Sequence, residues 1–138
     1  MIILDTNVLS AVMRQMPDHA VVEWLDKQPR TSIWTTSITV LEIRFGLAIL
    51  PEGKRSSFLV QAFDTVLEMI GHRIVSFDKE AARQASELMA ARHRNGRPGD
   101  LRDTMIAGIV LAHHATLVTR NTAHFSDIAA PVLNPWSI

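Results

Sequence analysis

The chain opens on a short apolar run, Ile2, Ile3 and Leu4, that stops at Asp5. An apolar run without alternation is the pattern of a strand covered on both faces, as in a parallel sheet. Helical spacing follows: Val8 to Arg14 and Asp18 to Lys27 read as two short helices, the second with Val21, Val22 and Leu25 on one side and Pro17 near its start. Ser32 to Thr35 predicts a second strand. Ser37 to Leu50 predicts a helix with Ser37 as its cap, closed by Pro51 and Gly53. From Lys54 to Ile70, the residues Leu59, Phe63, Val66, Leu67 and Ile70 recur at three- and four-residue steps, forming one apolar stripe that ends at Gly71. Arg73 to Phe77 alternates as a strand. Asp78 suits the N-cap of a helix carrying Ala82, Ala85, Leu88 and Met89, which Asn95-Gly96 and Pro98-Gly99 break. Leu101 to His114 is the last helix, Ala115 to Thr119 a further strand, and Pro131 to Leu133 a closing edge strand limited by Pro135.

Strands alternating with helices imply an α/β fold with a mostly parallel sheet, whose sites form beyond the carboxyl ends of its strands. Attention therefore falls on the residues just after Leu4 and just after Val118. With 138 residues, 47% apolar and 20% charged, the chain is expected to form one domain over 1–138. Fourteen basic against fourteen acidic side chains leave no global field, so any polyanion must be held locally. The absence of cysteine excludes a disulfide framework, a thiolate metal site and a cysteine nucleophile. It fits a reducing compartment, and the cytoplasm is the expectation. The N-terminus lacks the pattern of a signal peptide. The longest uncharged run, Thr104 to Thr119, has 16 residues including His113 and His114, short of the roughly 20 that span a bilayer, so no membrane segment is expected.

Three acids stand out. Asp5 directly follows the first strand, where such sheets present chemistry, although it could equally form an Asx turn or cap the next helix. Glu42 shares a helical face with Ile38, Phe45, Gly46 and Ile49, which would set a carboxylate on an inward apolar stripe; its alternative is a capping box with Thr39. Asp103 has Ile106, Ala107 and Val110 at its i+3, i+4 and i+7 positions, against the alternative of favourable dipole placement in a first turn. Three like charges brought together at about 5 Å, in an effective dielectric of about 20, repel by roughly 3 kcal/mol per pair. Protons or a cation must offset this. An all-oxygen set suits Mg²⁺ or Mn²⁺, ions that also bind phosphate oxygens, and so points to phosphoryl chemistry.

The segments ILDTNVLS with Asp5, SITVLEIRFGL with Glu42, LRDTMIAGIVLA with Asp103, and LVTRNTAHF, in this order and over nearly the whole chain, resemble the PIN-domain family of ribonucleases, in particular the VapC toxins of type II toxin-antitoxin pairs. The closing VLNPW, with Leu47 to Leu50 and Phe77-Asp78, is similar to its FitB-like branch. The resemblance implies a PIN-like three-layer α/β sandwich with a mostly parallel central sheet of four to five strands. It implies that Asp5, Glu42 and Asp103 form an acidic pocket for one or two Mg²⁺ or Mn²⁺ ions. It further implies endoribonuclease activity through a metal-activated water, leaving a 5′-phosphate and a 3′-hydroxyl, together with a small antitoxin in the active-site groove and a homodimer.

Many family members carry a fourth acid where this chain has Asn121, and an amide cannot supply that charge. Thr6, Asn7 and Thr119, with Asn121, are placed to surround metal waters, and Asp100 is a supplementary acid or, alternatively, a helix N-cap. Arg92, Arg94, Arg97 and Arg102, with His93, form a basic stretch that would grip RNA phosphates, or else a solvated helix end. Trp24, Trp34, Trp136 and the five phenylalanines read as core or interface groups rather than stacking platforms. The histidines have no zinc-ligand spacing. Val12, Met13, Leu47 and Leu50 exceed what a core absorbs on so few turns, and suggest a groove for an amphipathic antitoxin segment whose basic residue reaches the acids. Two other readings compete. A haloacid-dehalogenase-like phosphohydrolase also ends a strand on a nucleophilic Asp, but its second Asp would fall at Asn7; the other is a catalytically silent PIN-fold binding module.

Overall fold

The N-terminal apolar run becomes the central strand of a five-stranded sheet. In the computed structural model, which describes residues 1–138, β1 (Ile2–Leu4) lies between β2 (Ile33–Thr36) and β4 (Thr116–Val118), with β3 (Ile74–Val75) and β5 (Val132–Leu133) at the edges. Every neighbouring pair is parallel, and Ile3 stands level with Trp34 on one side and Leu117 on the other. Parallel neighbours require crossovers, and the helices supply them. These are α1 (Thr6–Met13), α2 (His19–Asp26), α3 (Ser37–Ala48), α4 (Lys54–Ile70), α5 (Lys79–Arg94) and α6 (Leu101–Ala112), with single 3₁₀ turns at Arg30–Ser32 and Thr122–Phe125.

Alternate strand residues feed two separate cores, which makes three layers. Ile3 and Leu117 pack with Leu88, Ile106, Ile109 and Val110 under α5 and α6. Leu4 and Val118 pack with Val8, Leu9, Val21, Phe63 and Ile70 under α1, α2 and α4. The helix α3 continues directly from β2 and belongs to both cores, through Ile38 in the first and Ile43 in the second. It therefore sits at the carboxyl end of the sheet, where chemistry was expected. On the opposite layer, α5 and α6 meet at Gly108, where a Cβ would lie 2.5 Å from the Ala81 carbonyl oxygen and 2.8 Å from the Ala85 Cβ.

Several local expectations shift. The first helix starts at Thr6 rather than Val8, because Asp5 is its N-cap and accepts from the Thr6 N–H at 2.8 Å. The cap of α3 is Thr36, not Ser37: Thr36 keeps the extended conformation of β2 (φ −122°, ψ 157°) and accepts from the Thr39 N–H at 3.1 Å. The Ser37 hydroxyl instead accepts from the Phe77 N–H at 3.2 Å, which with Asp78 capping α5 shortens β3 to two residues. The stripe containing Glu42 does not face inward throughout, since Phe45 is 58% and Ile49 66% exposed. Nor do Val12, Met13 and Leu47 form an apolar surplus between α1 and α3; all three pack on the second core. Trp24, Trp34 and Trp136 are half-buried against the cores, and Trp136 Nε1 donates to Asp18 at 2.8 Å. No helix is long and apolar enough to cross a membrane.

Candidate active site

The ends of β1 and β4 are neighbours, and each delivers a polar side chain to the same place. Asp5 extends the pairing, its N–H donating to the Val118 carbonyl at 2.9 Å, and the residue is only 4% exposed. A buried carboxylate needs donors. The Thr119 hydroxyl donates to Asp5 Oδ2 at 2.8 Å, and Asn7 Nδ2 approaches the same oxygen at 3.4 Å. Asn7 Nδ2 also donates to Thr119 Oγ1 at 3.2 Å, and Asn7 Oδ1 accepts from the Arg120 N–H at 3.0 Å. The Asn121 N–H donates to Thr119 Oγ1 at 3.1 Å, so the loop after β4 is folded around one threonine hydroxyl.

Glu42 reaches this centre from α3. Its Oε1 accepts from the Thr6 hydroxyl at 2.8 Å, and this bond replaces the capping box with Thr39. Asp103 comes from the first turn of α6, whose cap is Asp100: the Asp100 carboxylate accepts from the Asp103 N–H at 3.1 Å. Asp100 is thus an exposed capping residue, which accounts for its carboxylate without a place among the converging acids. A histidine and an arginine stand against the other two acids. His124 Nδ1 lies 3.1 Å from Asp103 Oδ2, and Arg102 Nε lies 3.8 Å from Glu42 Oε2. Burial, helped by the like charges of Asp103 and Glu42, pushes the Asp5 carboxyl above the usual carboxylate range, although Thr119 and the Thr6 N–H pull it the other way.

Asp103 and Glu42 thus both act electrostatically on Asp5, and their side chains are about one-fifth exposed. No three His, Asp or Glu side chains close into a tight metal cage. Mg²⁺ keeps several waters and takes only one or two carboxylates directly, so it does not require such a cage. The donor set, all carboxylate and hydroxyl oxygen with no sulfur, also fits such an ion rather than a soft one.

The basic stretch divides. Arg94 and Arg97 are exposed and Arg102 half-exposed, but Arg92 departs from the expected phosphate-gripping surface: it is 4% exposed and bound bidentately to Asp127 at 2.8 and 2.9 Å. The reason is its place on the buried stripe of α5 after Ala81, Ala85 and Leu88. His124 is the residue sequence reasoning missed. Its approach to Asp103 bridges 21 positions, and only its presence in the LVTRNTAHF segment pointed towards it. A groove of about 770 Å³ lies elsewhere, between α1, α2 and α4. Leu9, Val12, Met13, Val22, Phe58 and Val66 line it together with Arg14 and Arg30, and none of the three acids does.

Comparison with known proteins bears on the family and the fold. The PIN domain model matches residues 2–131. The chain is similar to VapC ribonuclease Y4jK of Sinorhizobium fredii, 37% identical over 137 residues that cover 99% of this chain and 98% of the relative. It is also similar to Toxin FitB of Neisseria gonorrhoeae, 34% identical over 137 residues and 99% of both chains. The solved structure of FitAcB from Neisseria gonorrhoeae superposes with a TM-score of 0.91 at 33% identity, over all of both chains. With the sequence pattern, the full-length relatives and the superposed fold in agreement, the chain belongs to the PIN domain family.

Proposed function

We propose that this protein is a metal-dependent endoribonuclease that hydrolyses RNA phosphodiester bonds and acts as the toxin of a toxin-antitoxin pair in the cytoplasm. The observation that carries the reading is the meeting of Asp5, Glu42 and Asp103 beside the ends of β1 and β4, three acids far apart in sequence whose repulsion costs stability unless a cation joins them. In this reading the three carboxylates hold Mg²⁺ or Mn²⁺. Such an ion, when bound, supplies Lewis acidity for a phosphodiester and acidifies a water. Thr119 and the Thr6 N–H fix the Asp5 carboxylate, and the Thr6 hydroxyl fixes Glu42, so both acids are oriented before any ligand arrives. Asn7 and Thr119 keep the β1 and β4 loops together, and Asn121 follows on the same loop with its side chain free of a capping bond. Arg94, Arg97 and Arg102, exposed near the start of α6, are the groups assigned to RNA phosphates.

A ribonuclease that attacks the RNA of its own cell needs restraint, and the relative Toxin FitB, 34% identical, is named a toxin. In this reading a small antitoxin occupies the active-site groove and brings an Arg or Lys to Asp5, Glu42 and Asp103, so that inhibition and metal binding compete. The exposed Leu41, Phe45 and Ile49, one helical turn apart on α3, are the face assigned to a second copy in a homodimer. The rival phosphohydrolase reading finds no support at position 7, where Asn7 is occupied in hydrogen bonds to Thr119 and Arg120.

The test is cleavage of total RNA by the purified protein with Mg²⁺, with Mn²⁺ and with EDTA, beside Asp103→Asn. Fragments with 5′-phosphates in the presence of metal only, and none from a folded Asp103→Asn variant, are expected. A folded protein that binds no divalent ion at about millimolar concentration, where weak metal sites already fill, would sink the nuclease reading in favour of a silent binding module.

A further inference from the structure

We infer that Arg92 is a positioning residue for the acidic centre: its buried guanidinium joins the first turn of α6, beside Asp103, to the 3₁₀ turn carrying His124, and thereby sets how His124 meets Asp103. The inference rests on the reading of Asp103 as a metal-facing acid. Arg92 makes four hydrogen bonds, which use four of the five N–H groups of a guanidinium. Nε and Nη2 hold the two oxygens of Asp127, Nη2 also donates to the His124 carbonyl at 3.0 Å, and Nη1 donates to Thr104 Oγ1 at 2.9 Å.

Each acceptor belongs to a different part of the neighbourhood of Asp103. Thr104 is the next residue, and its hydroxyl passes the link on by donating to the Asp100 carbonyl at 2.9 Å. Asp100 in turn caps the Asp103 N–H. His124 and Asp127 bracket the end of the 3₁₀ turn, so one planar group pins that turn at two points while the His124 ring faces Asp103 at 3.1 Å. The loop before α6 is shaped around the same guanidinium. Gly99 has φ +66°, and a Cβ there would lie 2.9 Å from Arg92 Nη1. A lysine could keep the charge but not the fork, because a single ammonium cannot serve three separated acceptors in one plane.

A merely structural ion pair would look similar in a stability measurement, so the test needs readouts of the site itself. Asp127→Asn is the first variant, since Asp127 is 47% exposed in its side chain and its loss leaves Arg92 bonded to Thr104 and His124. Arg92→Lys is the second and Asp127→Glu the rescue. In folded Asp127→Asn and Arg92→Lys, calorimetric titration with Mn²⁺ is expected to give affinity weakened about tenfold. The His124 ring resonances, recorded at one pH in EDTA, are expected to move. Asp127→Glu should return both towards wild type. Lower melting temperatures with unchanged Mn²⁺ affinity and unchanged His124 resonances would overturn the inference. If wild type itself binds no Mn²⁺, the nuclease reading fails separately, and the His124 resonances alone decide the positioning role: moved they support it, unmoved they refute it.

Discussion

Titration of the metal-free protein probes the acidic centre directly, because Asp5 combines near-complete burial with two like-charged neighbours. In an unfolded chain an aspartate ionises near about 3.9. In the folded protein Asp5 ionises higher, chiefly through burial. Between those two values the native state binds more protons than the unfolded state, so this contribution to stability is complete at low pH and is lost as pH rises through the folded value. One group can lower stability by at most about 1.4 kcal/mol per pH unit, or roughly 4 °C in Tm per unit for a domain of this size. Asp18 and Asp127 shift the opposite way, held down by Trp136 and Arg92 respectively, so their contributions appear as pH rises and are complete above the ordinary value. The two windows do not coincide. Asp5→Asn cannot ionise, and the comparison of its melting curve with wild type in EDTA, from about pH 4 to about pH 8, isolates the effect. Wild type should fall relative to the variant across the Asp5 window and then run parallel to it. Excess Mg²⁺ should restore wild type, by about 2.7 kcal/mol at a hundredfold over Kd, and leave Asp5→Asn unmoved. Parallel curves throughout, or equal stabilisation of both proteins by Mg²⁺, would refute the placement of Asp5 in a metal-binding acidic centre.

Gly108→Ala should destabilise the protein even though alanine is the better helix former by about 1 kcal/mol, because a Cβ would lie 2.5 Å from the Ala81 carbonyl oxygen and α5 would have to move. Overpacking of this kind costs roughly 1–3 kcal/mol or more, and a urea midpoint at or above wild type would contradict the close α5–α6 approach. Asn121→Asp should tighten Mn²⁺ binding by roughly tenfold, about 1.4 kcal/mol. Calorimetry finding equal or weaker binding would mean that this side chain does not face the metal.

The sheet itself was legible in the chain. An unbroken apolar triplet at Ile2–Leu4, the stripe from Leu59 to Ile70 and the breaks at Gly71, Pro51 and Asn95-Gly96 specify elements through local periodicity and backbone restriction, and all five strands and six helices stand within a few residues of those expectations. What moved was decided at element ends. Whether Thr36 or Ser37 caps α3 depends on how far β2 stays paired, and whether Phe77 extends β3 depends on a serine forty positions earlier. Neither is a local property.

Spacing singled out the three acids, Asp5 at a strand end and Glu42 and Asp103 on helical stripes, while a shared pocket was what the family resemblance implied. The contacts that orient them were not legible. Thr6 to Glu42, Thr119 to Asp5 and His124 to Asp103 join residues 36, 114 and 21 positions apart, and no periodicity relates such pairs. Arg92 makes the division plainest. Read along the chain it belongs with Arg94, Arg97 and Arg102 as one basic stretch, because sequence proximity makes charges look alike. In the fold its turn of α5 faces inward, where a guanidinium survives only with its partners supplied, and Asp127, Thr104 and the His124 carbonyl come from two other elements that only the tertiary structure brings to it.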